Sequence, residues 1–250
     1  MTGADHSEST PPTASVLSYL QLFRLPNVFT AIADVAMGFL VVQQTLRPLP
    51  PFLSLVAASI LLYTAGMILN DVFDYDVDVQ ERPERPLPSG RISLAVARSM
   101  GYTMLAAGVS CGWLTTWLVG GPMSPSGWIA LLLAGCVLLY DGVFKSTIAG
   151  PWFMGSCRFL NVLLGMSVGA TAIPESGLFG FTTMQLSVAG GIGLYIVGVT
   201  WFARTEARQS GRGLLAWGLL LMCLGIGLLA IAPRLDGSVL GFYIEPFRRW

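Results

Sequence analysis

Apolar residues run through the chain in seven long blocks, at about 28–46, 53–69, 100–119, 128–140, 153–173, 184–203 and 214–232, and most charged residues fall in the connections. A helix rises about 1.5 Å per residue and needs about 20 apolar residues to cross a bilayer's hydrocarbon core, so blocks of this length predict spanning helices. The fourth is short by that measure, and is expected to start nearer 123 or to lie partly buried among its neighbours. No connection is long enough to divide the chain, and residues 16–250 read as one domain: an all-α, polytopic transmembrane bundle of about seven spans. Residues 1–15, rich in Ser, Thr and Pro, read as a disordered tail without the apolar core of a signal peptide.

Composition points the same way. With 54% of residues hydrophobic and 11% charged, the chain has too little polar surface to cover a soluble core. A net charge of zero argues against a nucleic-acid partner, which requires a basic face. Cys111, Cys136, Cys157 and Cys223 form no CxxC pair, and the one histidine, His6, lies in the tail, which disfavours a zinc site.

Basic residues cluster after the second, fourth and sixth blocks: Arg82, Arg85, Arg91 and Arg98, then Lys145, then Arg204, Arg208 and Arg212. The alternate connections offer Arg47 and Arg234 alone. The positive-inside bias therefore sets the N-terminus and the even-numbered connections toward the cytosol. Residues 233–250 are then expected outside, where Arg248 and Arg249 sit uneasily, so that either a further span follows or the end folds back along the interface.

The segment Asn70-Asp71-Val72-Phe73-Asp74-Tyr75-Asp76-Val77-Asp78 stands out. At 100° per residue, positions 70, 74 and 78 share one helical stripe with Asp71 beside it, while Asp76 projects elsewhere. Carboxylates crowded at a bilayer boundary repel one another and are partly desolvated, which is costly unless a cation compensates. Their oxygen donors suit Mg²⁺, commonly held by one or two carboxylates plus substrate phosphates. The next stretch, Arg82-Pro83-Glu84-Arg85-Pro86-Leu87-Pro88-Ser89-Gly90, is a Pro-punctuated loop that keeps two guanidinium groups close by. The plainer reading is a solvated acidic helix end.

Together these two segments, NDxxDxxxD followed by RPERPL, resemble the first Asp-rich motif and loop of the UbiA-type intramembrane prenyltransferases. Further similarity lies in Arg24-Leu25-Pro26-Asn27, in Tyr140-Asp141 with Lys145, and in Met154-Gly155-Ser156-Cys157-Arg158-Phe159-Leu160-Asn161, which resembles the EboC-like branch. The resemblance covers most of residues 20–210. It implies Mg²⁺-dependent transfer of an isoprenoid chain from a prenyl diphosphate to a small-molecule acceptor, within membrane lipid. It makes Asn70, Asp71, Asp74 and Asp78 the metal ligands, and Asp74, Asp78 and Lys145 the catalytic groups. Substrate-binding residues would be Arg24, Asn27, Arg82, Arg85, Arg158, Asn161, Arg204 and Glu206. Arg158 and Asn161 lie three apart on one helix face, where Arg158 needs a diphosphate or an acidic partner. Asp34, inside the first span, contacts an acceptor or pairs within the bundle.

Two departures matter. Family members usually have nine spans, so that a truncated or diverged member is expected. Near the end of the sixth span they also carry a second acidic motif, where this chain reads Thr200-Trp201-Phe202-Ala203-Arg204-Thr205-Glu206-Ala207-Arg208. Glu206 is its one carboxylate, and flanking arginines either replace a second metal at the leaving group or are ordinary positive-inside residues. A non-catalytic membrane protein binding or transporting an isoprenoid or diphosphate lipid is the alternative function. A CDP-alcohol phosphatidyltransferase is disfavoured because Asp141-Gly142 continues as Val143-Phe144-Lys145.

Overall fold

The computed structural model describes residues 15–119, 124–170, 177–178, 180–206 and 212–235. The expectations for the tail before residue 15 and for the end after residue 235 fall outside these residues. The short helix α1 (Val16–Leu22) is capped by Ser15, whose hydroxyl accepts from the Ser18 amide. Arg24 then adopts a left-handed backbone (φ 48°, ψ 48°), unusual for a residue with a Cβ, and turns the chain sharply into α2 (Leu25–Gln43), with Pro26 in its first turn. Three prolines start α3 (Leu49–Phe73), where their missing amide hydrogens cost nothing. The ladder breaks at Asp74 (φ −87°, ψ 3°) and resumes as α4 (Tyr75–Glu81). Ser93 caps α5 (Leu94–Leu118).

The fourth expected span is α6 (Ser126–Leu139), extended by a π-helical turn over Tyr140–Phe144 in which the Lys145 amide donates to the Tyr140 carbonyl at 2.8 Å. That turn resolves its apparent shortness, giving a 19-residue apolar span, Ser126–Phe144. α7 (Gly150–Met166) is shorter than the expected 153–173, because the chain tightens into a 3₁₀ turn over Ser167–Gly169. A two-residue antiparallel pair, Gly177–Leu178 with Phe181–Thr182, leads into α8 (Thr183–Glu206), and α9 (Arg212–Ile231) follows. Each of the seven expected spans thus falls on a helix. Among the described residues, α2, α3, α6 with its π turn, α8 and α9 are long and apolar enough to cross a membrane.

α2, α3, α6 and α7 enclose the centre, α5 packs outside α3 and α6, and α8 and α9 extend the layer beyond α7. Lipid tails are as apolar as leucine, so close packing does more than hydrophobic transfer to hold such helices together. At the α2–α7 crossing the two backbones touch. A Cβ on Gly38 would meet the Val162 carbonyl oxygen at 2.3 Å, and one on Gly165 would meet that of Val35 at 2.3 Å. Val35, Phe39, Leu55 and Val162 form the fully buried core around this crossing. A second cluster, Leu22, Ile68, Val72, Leu87, Ile92 and Ala97, fastens α1 and the 82–92 loop to the ends of α3 and α5.

Candidate functional site

The start of α2, the end of α3, the 82–92 loop, the α6–α7 connection and the end of α8 meet at one end of the bundle. Contacts of Arg24 with Asp71, Lys145 with Asp74 and Arg204 with the Lys145 carbonyl tie them together. The break at Asp74 lets α3 and α4 present their carboxylates to different neighbours. Asp71 accepts from Arg24 at 2.6 Å and lies 3.4 Å from Arg85. Asp78, fully buried, is held by Arg85 at 2.6 Å and reached by Arg82 at 3.5 Å. Asp74 is ion-paired with Lys145. Asn70 donates its amide to the buried Asp141 carboxylate at 3.0 Å. Asp76 is exposed, as its position on the helix implied.

The crowded carboxylates are already compensated by the chain's own guanidinium and ammonium groups, and among the described residues no three acidic, His or Cys side chains converge on one metal position. Donor chemistry still suits Mg²⁺: it retains several waters and takes one or two protein carboxylates with substrate phosphates, and half-buried Asp74 and buried Asp78 provide such oxygens. The loop that carries the arginines is itself tied down. Arg91 donates to the Glu84 carbonyl, to Ser89 at 2.9 Å and to Gln21 of α1 at 3.2 Å.

Beneath this polar end lies a cavity between α2, α3, α6 and α7, its walls mostly apolar and Asp141 among the residues that line it. Tyr63 lines it, with Asn27 near the start of α2 close by. Of the two partners open to Arg158, the structure selects the acidic one: Arg158 bonds Asp34 at 3.0 Å, and also Thr30 through its hydroxyl at 3.2 Å. Its Nε lies 3.0 Å from the second Asp34 oxygen, out of line to donate. Asn161 bonds the Ala31 carbonyl at 3.0 Å and reaches Asp34 at 3.4 Å. Asp34 therefore pairs within the bundle.

Arg204 donates to the backbone carbonyls of Lys145 and, at 2.7 Å, of Thr147. Those bonds make it a brace for the connection bearing Lys145. Gly150 makes room for it, since a Cβ there would sit 2.3 Å from Arg204 Nη2. Glu206 is the last residue of α8; its side chain and Arg208 lie outside the described residues. Sequence reasoning passed over Asp141 as a partner of Asn70, 71 positions away. Its one signal was its place in the Tyr140-Asp141…Lys145 segment.

The chain has relatives. The chain is 30% identical over 186 residues to the digeranylgeranylglyceryl phosphate synthase of Sulfolobus acidocaldarius, an alignment covering 70% of this chain and 63% of that one. It is 25% identical to the synthase of the same name from Methanopyrus kandleri, covering 73% of each. The chain spans less than two thirds of the length of most of these curated relatives. A solved structure concerning digeranylgeranylglyceryl phosphate synthase superposes with a TM-score of 0.67 at 22% identity, over 88% of this chain and 77% of that one. A UbiA homologue from Archaeoglobus fulgidus, bound to GPP and Mg²⁺, superposes at 0.59 with 17% identity, over 93% and 88%. These two likenesses establish the helical fold. Residues 31–235, most of the sequence, match the UbiA prenyltransferase family model, and the chain belongs to that family.

Proposed function

We propose that the protein transfers an isoprenoid chain from a prenyl diphosphate to an acceptor within the membrane, with the diphosphate at the Asp-rich end and the chain in the cavity beneath. The observation that carries this reading is the juxtaposition of Asp74–Lys145 and Asp78–Arg85 ion pairs with an apolar cavity that Asp141 helps to line. Asp74 and Asp78, with Asn70 and Asp71 alongside, are the residues that would hold Mg²⁺. When bound, that ion supplies positive charge to the leaving diphosphate, which eases breakage of the allylic C–O bond. Lys145 and Arg85, each paired with a carboxylate in this structure, are the donors that would meet the diphosphate oxygens. Arg24 and Arg82 add charge at the rim. Arg204 keeps the Lys145 backbone in place. The cavity walls exclude water from the reacting carbon.

A cytosol-facing site fits the distribution of Arg and Lys over the connections. The relatives' name makes a prenylated glyceryl phosphate the first acceptor to try. A second reading, a protein that binds a diphosphate lipid without turning it over, is favoured by Arg204 standing where the family carries acid and spending its donors on backbone carbonyls. Purified protein given radiolabelled prenyl diphosphate, Mg²⁺ and acceptor separates the two: release of diphosphate marks the enzyme, and retention of intact ligand the binder. Asp74→Ala and Asp78→Ala should each abolish Mg²⁺-dependent use of the substrate. Unchanged turnover in both would remove this site assignment.

A further inference from the structure

The cavity has a built floor. Three helices close it with one hydrogen-bonded clamp: Ser59 of α3 donates to Asn161 Oδ1 at 2.8 Å and lies 3.1 Å from the Ala31 carbonyl, which also accepts from Asn161 Nδ2 at 3.0 Å. Below the clamp Val35, Leu55, Ala58 and Val162 are fully buried, so no channel continues downward. The side between α2 and α7 is spanned by Arg158, which lines the cavity and is fastened to Thr30 and Asp34.

Depth follows from helix geometry. Ser59 lies eleven residues from Asn70 along α3, and Asn161 eleven from the start of α7 at Gly150. At about 1.5 Å per residue the clamp sits roughly 16 Å below the ion-paired end. An isoprene unit contributes four main-chain carbons, and at about 1.5 Å per bond an extended unit spans roughly 5 Å. Three units fill that depth. A fourth meets hydrogen-bonded amide and hydroxyl groups already satisfied by each other, with packed core behind them, and to pass it must break the clamp and leave those groups unpaired.

We infer that the Ala31–Ser59–Asn161 clamp is a length gauge, limiting the prenyl diphosphate accepted at this site to about three isoprene units. The inference rests on the proposed function, since it assumes the diphosphate lies at the Asp-rich end. It would set this chain apart from relatives whose name carries the longer geranylgeranyl group.

The test is a binding series on the full-length protein in lipid nanodiscs. It uses Mg²⁺ and non-reacting diphosphates, with sulfur in place of the bridging oxygen, bearing two, three, four and five isoprene units. Affinity should rise from two units to three and fall by about tenfold or more at four, where an open cavity would give a further rise. The variant Ser59→Leu places a branched side chain on the floor and should move the preferred length down by one unit. The wild-type series decides the matter even if that variant does not fold. Equal or tighter binding at four and five units overturns the gauge and leaves the prenyl diphosphate reading standing. No binding at any length removes that reading, and the gauge with it.

Discussion

The Asp34–Arg158 pair joins α2 to α7 among apolar neighbours, with side-chain exposures of 8% and 18%. Its energetic signature is asymmetric and can be worked out. Asp34→Leu leaves the Arg158 guanidinium with only Thr30 and no counter-charge. An arginine cannot shed its proton, and loss of one partner of a buried pair typically costs about 3–5 kcal/mol. Arg158→Leu leaves a carboxyl that can take up a proton and still accept from Asn161, so its cost should be nearer 2 kcal/mol. Replacing both removes two desolvation penalties together, and the double variant should lie within about 1 kcal/mol of wild type. The expected coupling is therefore about 4–6 kcal/mol, well above the roughly 0.6 kcal/mol of an ordinary interhelical hydrogen bond in a membrane. A double-mutant cycle of reversible unfolding in mixed micelles measures it. Simple additivity, with the double variant as damaged as the two single variants combined, would refute the argument that each charge is tolerated because of the other.

Two further outcomes follow from contacts described above. Gly165→Ala drives a methyl into the Val35 carbonyl and should lower stability by about 1–3 kcal/mol in the same unfolding assay, whereas Gly135→Ala, with nothing within 4 Å, should not; equal effects would mean that the α2–α7 backbones do not touch. Arg204→Ala should loosen the connection that carries Lys145 and weaken prenyl diphosphate binding severalfold by titration calorimetry, with Arg204→Lys restoring part of the loss; unchanged affinity would make the brace irrelevant to the site.

Much of the architecture was legible because each span needs a long apolar run, and hydropathy along the chain marks such runs directly. The ion-paired end was legible for a similar reason: NDxxDxxxD, with an arginine loop a few residues later, is local in sequence. What stayed hidden is what depends on distance across the bundle. Nothing in the residues near Asp34 or Arg158 chooses between a ligand and each other, since their meeting depends on α2 and α7 closing at Gly38 and Gly165. Asn70 and Asp141 meet only because α3 and α6 run side by side. The role of Arg204 was left open because a basic residue at a helix end looks alike whether it faces a phosphate or two peptide carbonyls.

The π-helical turn over Tyr140–Phe144 carries one residue more than an α-helical ladder would pair. Deleting a single residue there would let the backbone relax into ordinary α geometry, and the rest of the connection would swing by about 100°. Lys145 would then leave Asp74, and Arg204 would lose the carbonyls it grips. Local regularity and the assembled end thus pull against each other at this turn, so a shortening that tidies the helix would dismantle the charge pairing above it.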